Sequence, residues 1–166
     1  MDRRSVLFAM AGLVSAVPLA QAQPAFDLGS PDQFRLSELM GGEFAIQTSR
    51  LALERSRSPA IRNFAQLEIN EQTAVAAALG ATPGNVQPRP DQMAILQQLQ
   101  GLSPGRAFDR AYVQGQIAGH EELLALNTAY AQGGSDPRSR AVATVAVPSI
   151  QTHLSMLSSL RRGGHV

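Results

Sequence analysis

The sequence predicts an all-α protein, a four-helix bundle with one long crossover between its second and third long helices. The composition is 44% hydrophobic but only 5% aromatic, which is typical of packed helices rather than of β-sandwiches. Ser-Pro or Asp-Pro pairs stand before stretches in which apolar residues recur with helical spacing. Two of the three connections between long helices are short, and the connection after the second helix is long.

The chain length of 166 residues favours one domain, preceded by an export signal. Arg3 and Arg4 form a positive start, residues 6–14 are apolar, and Ala20-Gln21-Ala22 is a small-x-small cleavage site. We therefore expect a signal peptide over residues 1–22 and a periplasmic protein, exported by the Sec or the twin-arginine route. The apolar run is too short for a permanent anchor, so no transmembrane segment is expected after signal removal.

A linker is expected over residues 23–29 and the bundle over residues 30–162, followed by a flexible tail over residues 163–166. The first long helix is predicted to start at Ser30-Pro31 and to run to about Arg57. The pair Gly41-Gly42 weakens the middle of this helix, and close packing against a neighbour would explain it. Ser58-Pro59 is predicted to start the second helix, which Gly80 ends.

The crossover is broken by several Pro and Gly residues but contains one short amphipathic helix, predicted over Asp91–Gln100. The third long helix is predicted to start near Ser103-Pro104 and to end before Gly133-Gly134. The fourth starts at Asp136-Pro137, runs to about residue 162, and should be kinked by Pro148.

Connection lengths decide the predicted topology. Two helical hairpins joined by one long crossover form the ferritin-like arrangement, whereas simple up-down bundles use short loops throughout. An up-down bundle with a long insertion is the alternative.

Several classes of function have no support in the sequence. The net charge is +1, and basic residues form no stripe with aromatic residues, so no nucleic-acid partner is expected. The chain has no Cys, which excludes disulfides and thiolate metal sites. Phosphate-binding loops and the usual hydrolase motifs are also absent from the sequence.

Polar residues interrupt the apolar stripes of all four long helices near their middles. By helical spacing, the residues that face inward are Glu43, Glu68, Glu71, His120 and His153. A buried Glu needs a partner, and inward His residues or a metal ion would supply one.

These five residues are the candidate metal ligands, and they predict at most one divalent transition-metal ion. A standard di-iron centre needs Glu-x-x-His on two helices. Here the residues three positions before His120 and His153 are Ile117 and Ile150, so neither His belongs to such a motif. A mononuclear site and a hydrogen-bonded ion cluster without metal remain as alternatives, and one of Glu68 and Glu71 is expected at the solvent edge. The sequence identifies no catalytic residue.

The chain resembles the bacterial domain-of-unknown-function family 4142, from Phe34 to Leu160. The resemblance rests on Gly42-Glu43, Leu51-Ala52, Ser58-Pro59, Phe64-Ala65, the run Ala107-Phe108-Asp109-Arg110-Ala111-Tyr112, His120, Pro148 and His153-Leu154. It implies an exported protein with a ferritin-like helical fold. The family usually has Asp-His where this chain has Glu71-Gln72, so a metal site of the family would lose a strong ligand candidate here.

The first hypothesis for the function is a non-catalytic periplasmic protein of envelope or stress physiology, with an inward Glu/His cluster that holds one metal ion. The second is a ferritin-like metal-dependent enzyme or metal-storage protein. The third is an interaction module that uses the crossover as its docking surface, with an envelope protein or a second copy of the chain as partner.

Overall fold

Helices account for all the regular secondary structure in the part of the chain that the structure, a computed structural model, describes, residues 30–163. The five helices are α1 (Pro31–Arg55), α2 (Pro59–Ala78), α3 (Pro90–Gly101), α4 (Arg106–Gly133) and α5 (Pro137–Arg162). The all-helical prediction is therefore confirmed, with four long helices and one short helix in the crossover. The predicted signal peptide (1–22), the linker (23–29) and residues 164–166 of the predicted tail lie outside the described residues.

Side-chain caps start three of the long helices where the Ser-Pro and Asp-Pro pairs predict them. The side chains of Ser30, Ser58 and Asp136 each accept a hydrogen bond from the backbone N–H three residues further on. Each cap satisfies a donor that the first helical turn leaves free, and the following Pro has no N–H to satisfy. Local chemistry at these positions is sufficient to set the helix starts.

The start of α4 differs from the prediction. The helix begins at Arg106 rather than near Ser103-Pro104. Gly105 precedes it with φ of 141°, a conformation that other residues rarely adopt and that is incompatible with a helix passing through this position. Gly80, the predicted end of α2, also has a positive φ, of 71°. It lies two residues after Ala78, the last residue of that helix.

The four long helices pair as two hairpins. The most extensive packing joins α1 to α2 and α4 to α5, and each pair is connected by only three residues. Contacts of α1 with α4, and sparser contacts of α2 with α5, join the two hairpins. The helix α3 packs against α1 and α4.

The crossover, residues 79–105, is fastened to α1 along its length. Arg35 donates to the backbone oxygens of Leu79 and Gly80. Arg55 donates to three backbone oxygens at the end of α3, those of Leu99, Gln100 and Leu102. A segment that lacks regular structure on either side of α3 is thereby held in one path.

Apolar clusters occupy both ends of the interior. One end contains Phe64, Phe108 and Tyr112, and the other contains Phe34 stacked on Tyr130 with ring centroids 3.8 Å apart. The inward Glu and His residues of α2, α4 and α5 lie between these clusters along each helix. No helix in residues 30–163 is long and apolar enough to cross a membrane.

Candidate metal centre

Three side chains from three helices converge in the interior. The Oε1 atom of Glu68 on α2 lies 3.1 Å from Nε2 of His120 on α4 and 2.6 Å from Nδ1 of His153 on α5. The two imidazole nitrogens are 3.3 Å apart. Glu68 belongs to the first hairpin and both His residues belong to the second, so the group lies where the hairpins meet. We call Glu68, His120 and His153 the triad.

Solvent is almost completely excluded from the triad. Glu68 is 0% exposed, His120 is 1% exposed and His153 is 3% exposed. The buried ring of Phe64 lies beside both imidazoles, with centroid distances of 6.0 Å to His120 and 5.6 Å to His153. Charges in such a site are screened little by water, so each of them needs a partner of opposite charge nearby.

The nitrogen of each imidazole that points away from the triad has a hydrogen-bond acceptor. His120 Nδ1 lies 2.7 Å from the backbone oxygen of Gln116, and His153 Nε2 lies 3.3 Å from Oε2 of Glu71. Because a backbone carbonyl can only accept, Nδ1 of His120 carries a proton, whereas His153 has a carboxylate within reach of each of its two nitrogens. In neutral His120 the inner nitrogen, Nε2, then presents a lone pair to the centre of the triad, and in His153 the inner nitrogen, Nδ1, presents one once its proton is displaced.

Glu71 holds His153 from the solvent side. Its Oε1 accepts a hydrogen bond of 2.7 Å from Ser149 Oγ, and its side chain is 25% exposed. The hydrogen bond from His153 lowers the pKa of Glu71, against the opposing effect of its partial burial. Glu71 is therefore an ionised outer partner of His153, at the solvent edge where one of the two Glu residues of α2 was predicted.

The electrostatics of the triad favour a carboxylate beside a protonated imidazole when only protons are bound. Burial by itself would raise the pKa of Glu68, but hydrogen bonds from His120 and His153 outweigh it and lower that pKa to about 2. Burial would likewise lower the pKa of His153, but the hydrogen bonds to Glu68 and Glu71 raise it to about 9. Oε2 of Glu68 has no hydrogen-bond partner among the described residues, although it is buried.

The spacing of the three inner atoms suits a first-row metal ion. For metal–ligand bonds of about 2.0–2.1 Å, ligand atoms lie about 2.9 Å apart in octahedral and about 3.4 Å apart in tetrahedral geometry. Two of the observed separations, 3.1 Å and 3.3 Å, fall in this range. The third, 2.6 Å, would need to widen by a few tenths of an ångström. The triad could therefore hold a metal ion with small side-chain movements.

Glu43 lies in a different environment from the triad. It is buried, as its position on the core stripe predicts, but its Oε1 accepts from Gln47 and its Oε2 accepts from the backbone N–H of Gly84, both at 2.7 Å. The carboxylate thus fastens the crossover to α1. Of the five candidate ligands, the structure brings together Glu68, His120 and His153, adds Glu71 behind His153, and places Glu43 against the crossover.

Gln72, the residue after Glu71 on α2, also points inward. It is 4% exposed, and its Oε1 has no hydrogen-bond partner within residues 30–163. It lines a cavity of about 10 Å3 together with Glu38, Glu43 and Gly42, which leaves room for about one water molecule. The side chain at position 72 therefore faces α1 and the start of the crossover.

Further buried polar residues near the triad were not singled out from the sequence. Glu38 accepts from Asn127 Nδ2 at 2.7 Å, and Gln116 donates to Thr48 at 2.8 Å. Each of these hydrogen bonds joins α1 to α4. Helical spacing could have identified two of these residues, Gln116 and Asn127. They lie four residues before and seven residues after His120, and therefore on the same face of α4.

Comparisons with known proteins identify one family. A family model described as "Domain of unknown function (DUF4142)" matches residues 16–160, nearly the whole chain. No curated protein and no solved structure matches the chain.

Proposed function

This chain belongs to the DUF4142 family, whose description names no activity. We therefore infer the function from the site, and we propose that the protein binds one divalent transition-metal ion at the triad. Glu68, His120 and His153 would be the ligands, and Glu71 and the Gln116 carbonyl would orient the two imidazoles. An ion cluster without metal is the competing explanation of the same contacts.

One observation carries this proposal: both imidazoles are anchored through their outer nitrogens. Outer anchors on a backbone carbonyl and a carboxylate, at 2.7 Å and 3.3 Å, are the usual arrangement behind metal-binding His residues. With the proton of His120 fixed on Nδ1, its Nε2 lone pair faces Glu68 Oε1 at 3.1 Å, and a cation between these two atoms would turn their repulsion into attraction. A metal ion would supply the positive charge at this point without a protonated imidazole.

The ligand set selects the class of metal. Two imidazoles and one carboxylate suit Zn²⁺, Fe²⁺, Mn²⁺ or Cu²⁺, whereas Mg²⁺ and Ca²⁺ prefer oxygen ligands. Catalysis at a metal requires an open position for water or substrate. Because all three ligands are at most 3% exposed, their burial favours a non-catalytic role over a metal-dependent enzyme.

The remaining parts of the proposal concern architecture and location. Two hairpins joined by a crossover that contains α3 support a ferritin-like four-helix bundle. The export signal expected in residues 1–22 supports a periplasmic protein. A role in envelope or stress physiology follows from that location and remains part of the proposal.

The test is metal titration of the chelator-treated protein. We expect elemental analysis to find one equivalent of Zn²⁺ or Mn²⁺ per chain. We also expect the melting temperature to rise, because a ligand that binds only the native state stabilises that state by mass action. At a free metal concentration 100 times Kd, this stabilisation is about 2.7 kcal/mol. His120→Ala and His153→Ala should lose the metal. Glu68→Gln, which keeps the size of the side chain, should weaken binding.

The third histidine of the chain provides the matched control. The proposed ligands are Glu68, His120 and His153, so His165→Ala should bind metal like the unaltered protein. The proposal would be contradicted by a melting temperature that stays constant with Mn²⁺, Fe²⁺, Zn²⁺ and Cu²⁺. It would also fail if His165→Ala lost as much metal as His120→Ala.

A further inference from the structure

A groove runs along the surface between α2 and α5 and ends beside the triad. It has a volume of about 540 Å3 and is lined on α2 by residues 71, 74, 75 and 78 and on α5 by residues 141, 142, 145, 146 and 149. The groove exists because α2 and α5 contact each other much less closely than the two helices within each hairpin. Volumes of about 300–1,000 Å3 are typical of small-molecule sites.

Most of the groove is apolar and formed by small side chains. Four of its nine lining residues are Ala, and three are Val. Val145 is 72% exposed, more than any other large hydrophobic residue in the described part of the chain. Exposed apolar surface of this kind is favourable to cover, at roughly 25 cal/mol per Å2 buried, and an aliphatic chain would do so.

Polar groups lie at one end of the groove. Glu71 and Ser149 face each other there, with the Ser149 hydroxyl donating to Glu71 Oε1 at 2.7 Å. The Glu71 carboxylate is the single ionisable group among the lining residues. Each of its oxygens accepts one hydrogen bond within the protein and retains a second lone pair for a donor in the groove.

We propose that this groove binds a small aliphatic ammonium compound, with its apolar tail along Ala74, Ala78 and Val145 and its cationic head at Glu71 and Ser149. The volume fits a molecule of this size, the apolar lining fits its tail, and the carboxylate attracts a cation and repels an anion. A fatty acid anion would place its charge beside Glu71 with no basic lining residue to balance it.

The groove site does not depend on the metal. Glu71 lies outside the triad and contacts it only through the outer nitrogen of His153. Amine binding is therefore expected both with metal and after chelation. Failure of either proposal leaves the other standing, because the titrations are separate.

The experiment is a titration with three six-carbon probes that share one tail, n-hexylammonium chloride, hexan-1-ol and sodium hexanoate, followed by NMR of the protein methyl groups. We expect hexylammonium to bind saturably with one site per chain, with shifts at Val145 and the groove alanines. Its affinity should exceed that of hexanoate by at least tenfold.

Two variants and a control assign the binding to the groove. Glu71→Gln should reduce hexylammonium affinity to that of hexanol and leave hexanol unchanged. Ala74→Phe should fill the groove and weaken all three probes. The control Glu121→Gln removes an exposed carboxylate of α4 outside the groove and should change nothing. Circular dichroism verifies that each variant is folded.

Three results would overturn the inference. The first is hexanoate binding as tightly as hexylammonium, and the second is full hexylammonium affinity in folded Glu71→Gln. The third is a concentration-dependent dimer that Val145→Glu dissociates, because the groove would then be covered by a second copy of the chain.

Discussion

At the scale of single residues, the buried carboxylates differ in what faces them. Glu68 has two imidazoles, and their hydrogen bonds outweigh the effect of burial on its pKa. Glu38 has the neutral amide of Asn127 at 2.7 Å. Burial therefore dominates and raises the pKa of Glu38 to about 7, although the Asn127 hydrogen bond and the charge of His120 act in the opposite direction. Near neutral pH, Glu38 is partly protonated.

Glu38→Gln should change the pH dependence of stability. The pKa of Glu38 rises from 4.5 to about 7 on folding, so its contribution to stability is complete below pH 4.5 and is lost as the pH rises towards 7. The free energy of unfolding of the Gln variant should not decline over this pH range. At pH 8 it should exceed that of the unaltered protein by up to roughly 3 kcal/mol. Urea unfolding of chelator-treated protein from pH 4.5 to 8 measures it.

The control for this comparison is Glu54→Gln, which alters an exposed Glu of the same helix. It should retain the pH dependence of the unaltered protein. Equal slopes in Glu38→Gln and the unaltered protein would contradict a raised pKa of Glu38 in the folded protein.

The site could be predicted from the sequence only as far as helical spacing reaches. Spacing places His120, His153 and Glu68 on inward faces, and the structure has all three inside. It also places Glu43 inside, but one of the two partners of Glu43 is the backbone N–H of Gly84 in the crossover. The path of an irregular segment depends on tertiary contacts, which have no periodic signal, so this pairing could not be foreseen.

At the scale of helices, close approach of α1 to its neighbours explains the Gly41-Gly42 pair. A Cβ atom on Gly41 would lie 2.8 Å from Cδ2 of Leu123 on α4, and one on Gly42 would lie 2.9 Å from Oε1 of Gln72 on α2. The two glycines thus let α1 approach α2, its partner in the first hairpin, and α4 of the second hairpin at once. Local chemistry made the helices predictable, since caps and glycine stops act within one turn, whereas this contact involves residues distant in sequence.

A double-mutant cycle tests the close approach. Gly41→Ala should destabilise the protein, because overpacking against Leu123 costs about 1–3 kcal/mol and exceeds the gain of about 1 kcal/mol in helix propensity. In a Leu123→Ala background the clash is removed, so the same substitution should stabilise the protein. Chemical unfolding of the four proteins provides the measurement. The same sign of effect in both backgrounds would exclude a steric role for Leu123.

At the scale of the whole molecule, the two hairpins share the triad. The first supplies Glu68, and the second supplies His120 and His153. Fold class and the order of the helices follow from the sequence because connection lengths are visible in it. How closely α2 and α5 approach each other is not visible there, and it is the sparse contact between them that creates the groove.

Metal should hold the hairpins together when the crossover is cut. A protease site introduced between Thr82 and Pro88 would divide the chain between α2 and α3. With metal at a free concentration 100 times Kd, we expect the two pieces to separate at about 100-fold lower protein concentration than after chelation. Analytical ultracentrifugation of the cut protein measures this. Cut His120→Ala should show no effect of metal, and a metal effect in that variant would contradict a triad shared between the hairpins.

The division of the triad between hairpins also determines when an ion can be captured. During synthesis, Glu68 is made long before His153, and neither half of the chain contains all three ligands. A chain that is unfinished, or whose hairpins have not yet met, therefore cannot load the site. In the metal-binding protein that we propose, a chain that carries the ion is therefore one whose two hairpins have already met.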